Sequence, residues 1–283
     1  MKHAVSVFGG TGFIGSRFVS MFQDDNDIYV RPRWSRRPAP EGPSNTLWFI
    51  STTDNYNVHT DPTLDVNTNL VTLCEALEQH RLNNPAGVFN FVSSWFVYGD
   101  HGSNAEVSEN LACDPKGFYS ITKRTAELLL QSYCQTHFIP YRILRLCNVV
   151  GPGDHYSAKK NALQYLIGKM KNNEDIEVYG NGKFYRNYMH VDDVCRALDL
   201  VMDKGQINYI YNIGHPDHRY FIDHLNYVSK KINYTGNIKF IEPKQFHQQV
   251  QTPSFLMSTF RLKRDTDFRP VLSIEAMLDD LID

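Results

Sequence analysis

Short apolar runs alternate with helical periodicities through the first half of the chain. Val5-Ser6-Val7-Phe8 leads into a turn and then into Phe13-Ile14 and Phe18-Val19, spaced as one face of a helix. This rhythm predicts a parallel sheet flanked by helices. Strands are expected at about 3–8, 28–31, 46–51, 87–93 and 141–147, with helices at about 13–23, 64–81 and 117–136. Asp61-Pro62 is a helix start signal for the stretch carrying Asn67, Leu70, Leu73 and Leu77. Right-handed crossovers would put the carboxyl ends of all these strands on one edge, where a ligand binds.

The rhythm breaks between Val30 and Leu47, where four prolines (32, 38, 40 and 43) and Gly42 exclude a helix and a central strand. One strand–helix unit is therefore expected to be shortened, with residues 38–45 irregular. The pattern changes again after Gly151-Pro152-Gly153. A helix is expected at about 158–172, a short strand at Ile176–Tyr179 and a hairpin-type turn at Asn181-Gly182. His190-Val-Asp-Asp193 opens a helix to about 203, and Tyr209–Ile213 reads as a strand. The expected organisation is a dinucleotide-binding domain over 1–150 plus about 191–215, and a smaller mixed α/β domain over 151–190 plus about 216–283.

With 283 residues, 42% hydrophobic and 21% charged, the chain can bury a proper core. Its net charge of −2 gives no field that would favour nucleic acid or a membrane surface. Met1-Lys2-His3 followed at once by a strand does not read as a signal peptide, and no run approaches a membrane span, so a cytoplasmic setting is expected. Five widely spaced cysteines without a C-x-x-C pair argue against a disulfide framework or a metal site. Cys74, Cys134, Cys147 and Cys195 sit in apolar segments and read as buried thiols, whereas Cys113 sits in a loop.

The chemistry begins at Gly9-Gly10-Thr11-Gly12-Phe13-Ile14-Gly15, between the first strand and the first helix. Glycines at 9, 12 and 15 allow a tight turn, approach of the backbone to a pyrophosphate and close helix–strand packing. The helix amino terminus offers N–H groups to the phosphates. A Rossmann-type doubly wound sheet follows from this placement. The second strand ends in Arg31-Pro-Arg33-Trp-Ser35-Arg36, with no carboxylate for the ribose hydroxyls. Arginines there suit a 2′-phosphate, which favours NADP over NAD.

Tyr119 and Lys123 are four apart on a predicted helix and share a face. Bringing a phenol from its usual pKa near 10 to about 7 needs about 4 kcal/mol of preferential phenolate stabilisation. A nearby ammonium and an oxidised nicotinamide could provide it. Ser94 closes the apolar run from Gly87, at the carboxyl edge of the sheet, where a hydroxyl can hydrogen-bond an oxygen being oxidised or reduced. No nucleophile elbow surrounds it.

These motifs recur in a fixed order with Asn67, Tyr98-Gly99-Asp100, Arg145-Leu-Cys-Asn148 and Arg186-Asn-Tyr-Met-His190-Val-Asp-Asp193. Over about residues 3–215 the chain resembles the extended short-chain dehydrogenase/reductase family, the nucleotide-sugar epimerases, dehydratases and reductases. The resemblance implies NAD or NADP and a nucleoside-diphosphate sugar. It makes Ser94, Tyr119 and Lys123 the catalytic residues, with Lys123 also binding the nicotinamide ribose. Gly9, Gly12, Phe13, Ile14, Gly15, Arg31, Arg33, Ser35, Arg36, Ser51, Thr52 and Asn67 would then face the dinucleotide. Trp95, Phe96, Asn148, Asn161 and Arg186 would face the sugar nucleotide, and a homodimer would form through a four-helix interface including 117–136.

Three departures carry information. Dehydratases of the family have Asp and Glu directly after the catalytic Ser or Thr, where this chain has Trp95 and Phe96. Asn187 replaces the Asp of the family's Arg-Asp-Tyr motif, and no carboxyl-terminal arginine can be matched to the diphosphate. The expected function is an NADP(H)-dependent reductase of a nucleoside-diphosphate 4-keto-6-deoxy sugar. The alternatives are a nucleotide-sugar 4-epimerase with tightly bound NAD(P) and a non-catalytic NADP-binding regulatory protein.

Overall fold

A computed structural model describes residues 4–32, 44–102, 105–154, 161–250 and 254–283. Its elements run β1 (Ala4–Phe8), α1 (Phe13–Phe22), β2 (Asp27–Arg31), β3 (Asn45–Trp48), α2 (Pro62–Val66), α3 (Thr72–Asn83), β4 (Phe89–Ser94), β5 (Glu106–Val107), α4 (Phe118–His137), β6 (Tyr141–Leu146) and β7 (Asn148–Val150). There follow α5 (Ala162–Lys171), β8 (Ile176–Tyr179), β9 (Tyr185–Arg186), β10 (Tyr188–His190), α6 (Val191–Lys204), β11 (Tyr209–Ile213), β12 (Arg219–Tyr220), α7 (Phe221–Lys231), β13 (Ile238–Ile241), α8 (Gln245–Val250), β14 (Leu256–Met257), α9 (Phe260–Thr266) and α10 (Ile274–Ile282).

Six parallel strands form the main sheet in the order β2-β1-β3-β4-β6-β11. The chain moves outward from β1 to β2 and then returns to the far side of β1 with β3. That reversal opens the crevice between the carboxyl ends of β1 and β3, the usual ligand position in a doubly wound sheet. The outermost strand of the usual six-strand order has no counterpart among the described residues, so β2 is the edge. Residues 33–43, most of the stretch expected to be irregular, lie outside the described residues. At its end Asn45 already pairs with Val5 as the first residue of β3, so that part of the expectation is corrected. β-Branched and aromatic side chains of β3 and β4 outweigh the preceding proline-rich composition from that point on.

The central strands bury both faces, as a covered parallel sheet requires. Val5, Val7 and Leu47 pack with α1 and α6 on one side, while Trp48, Phe89 and Phe91 pack with Leu73, Leu77, Ala126 and Leu130 of α3 and α4 on the other. Each such side chain contributes roughly 1.5–3 kcal/mol by leaving water. A third cluster joins α5, α7 and α10 around Leu163, Ile167, Leu225 and Leu278. Phe255, Leu262 and Phe268 near the carboxyl end pack into the first cluster with Val5 and Val97.

Two expectations change in detail. The turn at Asn181-Gly182 forms, but β8 pairs in parallel with β13 and β9 pairs with β12, so no hairpin results. Cys74 is exposed, because its position on α3 points away from the core that Leu73 and Leu77 fill. The helix begun by Asp61, whose side chain accepts from the Thr63 N–H, is interrupted by a π-turn over Asn67–Val71. Among the described residues no helix is long and apolar enough to cross a membrane, and no cluster of His, Cys, Asp or Glu could hold a metal.

Candidate active site

A half-open cavity of about 1240 Å³ lies over the crevice and continues between β8 and α5. It exceeds the roughly 300–1,000 Å³ of a site for one small ligand, which gives room for two. At one end it is lined by Gly9, Thr11, Gly12, Phe13, Ile14 and Gly15. Gly9 has φ +80°, and a Cβ on Gly15 would lie 2.2 Å from the Gly9 carbonyl oxygen, so neither position accepts a side chain. Gly12 is the N-cap of α1 and has no side chain to occupy the first turn. The backbone therefore presents N–H groups and the helix dipole to the cavity, which fits a dinucleotide pyrophosphate.

Of the other residues expected to face the dinucleotide, Ser51, Thr52, Tyr119 and Lys123 line the cavity. Arg31 ends β2 and lies over the Tyr29 ring at 5.5 Å, outside the lining. Asn67 is exposed on the π-turn, where its carbonyl accepts from the Thr72 hydroxyl. Arg33, Ser35 and Arg36 lie outside the described residues. Ser94, Trp95, Phe96, Asn148, Asn161 and Arg186 all line the cavity.

Ser94 ends β4, and its Oγ accepts from the Phe96 N–H at 3.3 Å, capping a 3₁₀ turn over Trp95–Tyr98. The turn stacks Trp95 on Phe96 with ring centroids 4.1 Å apart. The Phe96 edge meets Tyr119 at 6.3 Å. Tyr119 is in the first turn of α4 and lines the cavity together with Ser94 and Ser51. Burial pushes its phenol up to about 12; the two serines pull it down and the Asp65 carboxylate raises it further.

Lys123 does not reach toward the phenol. Its Nζ donates to the Val92 carbonyl at 2.7 Å and sits 4.4 Å from the centre of the Phe91 ring. Burial lowers this ammonium to about 7, partly opposed by Glu127. The expected charge assistance from Lys123 to Tyr119 is thus not made in this arrangement, because the Val92 carbonyl engages the ammonium.

Glu127, Asn69 and Asp65 escaped the sequence reading, and Arg145 was noted there only as part of a motif. Glu127, a further turn along α4, accepts from Ser93 Oγ at 2.6 Å, from Arg145 Nε and Nη2 at 2.9 and 2.7 Å, and from Arg124 at 2.8 Å. Burial alone would raise its carboxyl, but Arg145 and the other donors outweigh it and hold it low. The i, i+4 spacing of Tyr119, Lys123 and Glu127 was the available signal. Asn69, buried on the π-turn, bonds Ser51, Thr52 and Thr122. Asp65 is fully buried and accepts from Asn57 at 3.0 Å. Arg145 is also fully buried, with its guanidinium 4.5 Å from the centre of the Tyr98 ring.

At the other end of the cavity Arg186 is the one arginine among the described lining residues, accompanied by Lys169 and Lys244. Its guanidinium lies 5.4 Å from the Trp95 ring centre and 4.8 Å from that of Phe184, and burial lowers its pKa to about 10. Asn161 caps α5 in a left-handed conformation at φ 55°. The replacement at Asn187 has a local reason: its amide donates to the His215 carbonyl at 2.6 Å and accepts from the His215 N–H at 2.9 Å. An aspartate could not make the first bond.

A glycine turn on an uncapped helix and a Tyr/Lys/Ser group at the same crevice define an NAD(P)-dependent enzyme of the extended short-chain dehydrogenase/reductase type. Residues 46–214 match the NAD dependent epimerase/dehydratase family, and the chain belongs to it. It is 30% identical over 281 residues to the low-salt glycan biosynthesis protein Agl12 of Haloferax volcanii, spanning 87% of this chain and 88% of that one. It is 30% identical over 171 residues to the dTDP-D-glucose 4,6-dehydratase of Dictyostelium discoideum, spanning 57% of this chain but 37% of that one. The structure of RMD from Pseudomonas aeruginosa complexed with NADPH superposes with a TM-score of 0.85 at 20% identity, over 99% of this chain and 98% of that one.

Proposed function

We propose that the protein is an NADP(H)-dependent reductase of a nucleoside-diphosphate 4-keto-6-deoxy sugar. The observation that carries this reading is the stacked Trp95–Phe96 pair beside Ser94, where the family's dehydratases have an acid and a base. Neither ring can remove a C5 proton or expel a C6 hydroxyl. Both offer an apolar surface to a sugar methyl group. The carboxylates that line the cavity, Asp154 and Glu177, sit near the α5 cap and on β8 rather than on the turn after Ser94. NADP is favoured by Arg33 and Arg36, while structures similar to this one hold either NADPH or NAD.

The glycine turn and the α1 amino terminus would hold the dinucleotide, which supplies hydride when bound. Ser94 would polarise the sugar carbonyl and Tyr119 would donate the proton to its oxygen. Lys123 would hold the nicotinamide ribose, its ammonium turning from the Val92 carbonyl. Arg186 would meet the sugar-nucleotide diphosphate, with Asn148 and Asn161 beside it. The protein is proposed to act in the cytoplasm as a homodimer through α3 and α4, whose outer faces expose Leu82, Ile121, Leu128 and Leu129, with Val71 exposed at the end of the π-turn before α3.

A 4-epimerase is the second reading, favoured by the family match and by a Tyr/Lys/Ser group that serves both reactions. Incubation with a 6-hydroxy sugar nucleotide and with its 4-keto-6-deoxy derivative decides the matter, by NADPH absorbance and product mass. Reduction of the keto sugar alone is expected. Loss of water from the 6-hydroxy sugar would overturn the assignment of Trp95 and Phe96. Interconversion of 4-epimers without net NADPH use would select the epimerase.

A further inference from the structure

α8 stands apart from the packing of the rest of the molecule. None of its residues is buried, and none joins the three apolar clusters. Gln245, Gln248 and Gln249 are exposed, while Phe246, His247 and Val250 are half-buried and anchor it. The Phe246 ring centre lies 5.1 Å from that of Tyr56 and 4.6 Å from that of His59. The His247 ring sits 4.9 Å from Tyr179, the last residue of β8, and its Nε2 shares a hydrogen bond with the Tyr56 hydroxyl. Val250 packs over Gly117, the N-cap of α4, where an added Cβ would lie 3.4 Å from the Val250 Cβ.

These anchors belong to separate parts of the fold. Tyr56 follows the segment after β3 that lines the cavity through Thr53 and Asn55, and Tyr179 lines the cavity from β8. Lys244, His247 and Gln248 line it between them. A helix held by a few ring contacts and one side-chain hydrogen bond opens at far lower cost than the core, because opening exposes little apolar surface.

We propose that α8 is a strap across the cavity, latched by the Tyr56–His247 bond, which opens to admit a nucleoside-diphosphate ligand and closes behind it. The proposal rests on the reading of the cavity as a sugar-nucleotide site. Lys244 immediately precedes α8 and travels with it, so the closed strap brings a second cation to the end of the cavity that holds Arg186. A diphosphate gains from that cation only in the closed state. This is the differential affinity that ligand-driven closure requires.

The test is hydrogen exchange of the full-length protein, read by mass spectrometry at constant pH. In the free wild type the α8 amides are expected to exchange well ahead of those of β4. Tyr56→Phe keeps the rings and loses the hydroxyl, and is expected to speed α8 exchange about 3–10-fold, the size of one net hydrogen bond, with β4 and α10 unchanged. His247→Phe and the double variant are expected to show the same acceleration, since each removes the same bond. Exchange in α8 as slow as in β4, or equal in wild type and Tyr56→Phe, would overturn the latch. Saturating uridine diphosphate or thymidine diphosphate is expected to slow α8 exchange in wild type, and to slow it less in Lys244→Ala. Unchanged or faster exchange in a bound complex would overturn closure behind the ligand. Were calorimetry to show that neither diphosphate binds, the sugar-nucleotide reading and the ligand-driven closure would both fall, while the free-protein comparison would still decide the latch.

Discussion

The Lys123 ammonium is bound to the Val92 carbonyl across 2.7 Å, one residue before the serine pair that ends β4. The bond locks α4 to the sheet edge and also buries a cation. Lys123→Met should therefore lose most turnover and weaken dinucleotide binding, yet raise the melting temperature of the unliganded protein at neutral pH. Below about pH 7 folded and unfolded chains both carry the proton, and the burial cost is borne in full. Between about 7 and the ordinary 10.5 the unfolded chain binds a proton that the folded one does not, so stability rises with pH. Melting curves at pH 7 and 9 should show this rise in wild type and a smaller one in Lys123→Met.

Tyr119→Phe should keep the fold and the affinity for NADPH while losing about 10²–10⁴-fold in turnover, the range for a missing proton donor. Activity within a few-fold of wild type would remove Tyr119 from the reaction.

The joint change Arg33→Ala and Arg36→Ala should weaken NADPH binding about 10–100-fold, as one or two charge-assisted bonds to the 2′-phosphate disappear. NADH binding should hardly change. Fluorescence titration of both cofactors checks this, and equal losses would show that the arginines merely add positive charge.

Glu127→Gln should destabilise the protein by about 3–5 kcal/mol, because the buried Arg145 guanidinium loses its carboxylate. Urea unfolding measures the loss. A midpoint unchanged from wild type would mean that Tyr98 and solvent take over the Arg145 charge.

The glycine turn, strands β1 to β4 and β6, and the Tyr119 helix were legible because each depends on local chemistry: glycine conformations, apolar runs and i, i+4 spacing. Ser94 and Tyr119 could be placed because a strand end and a helix face place them, whereas Arg186 was placed by the family resemblance alone. Asn69 could not be found this way. Its inward direction depends on a π-turn, and nothing in Asn67-Thr-Asn-Leu-Val71 distinguishes that turn from continuous helix. The direction of Lys123 was equally hidden, since spacing puts it beside Tyr119 while the Val92 carbonyl decides where its ammonium goes. The carboxyl-terminal elements were missed because their pairings are long-range: β13 with β8, β14 with β5 and Phe255 with Trp95.

The π-turn has a consequence for how this fold can change. Inward positions fall at Asp65, Asn69, Leu73 and Leu77, four residues apart throughout. In an uninterrupted α-helix each such step rotates by about 40° beyond a full turn, so three steps would swing Leu77 about 120° away from Asp65. The wider turn absorbs part of that drift, acting as a phase corrector between two stretches of ordinary helix. The hydrophobic anchoring of α3 and the polar clasp around Ser51 are thereby set by one local winding defect. Insertions or deletions of a single residue are then far more disruptive within 67–71 than in the exposed turn before Asp61, however conservative the side chains involved.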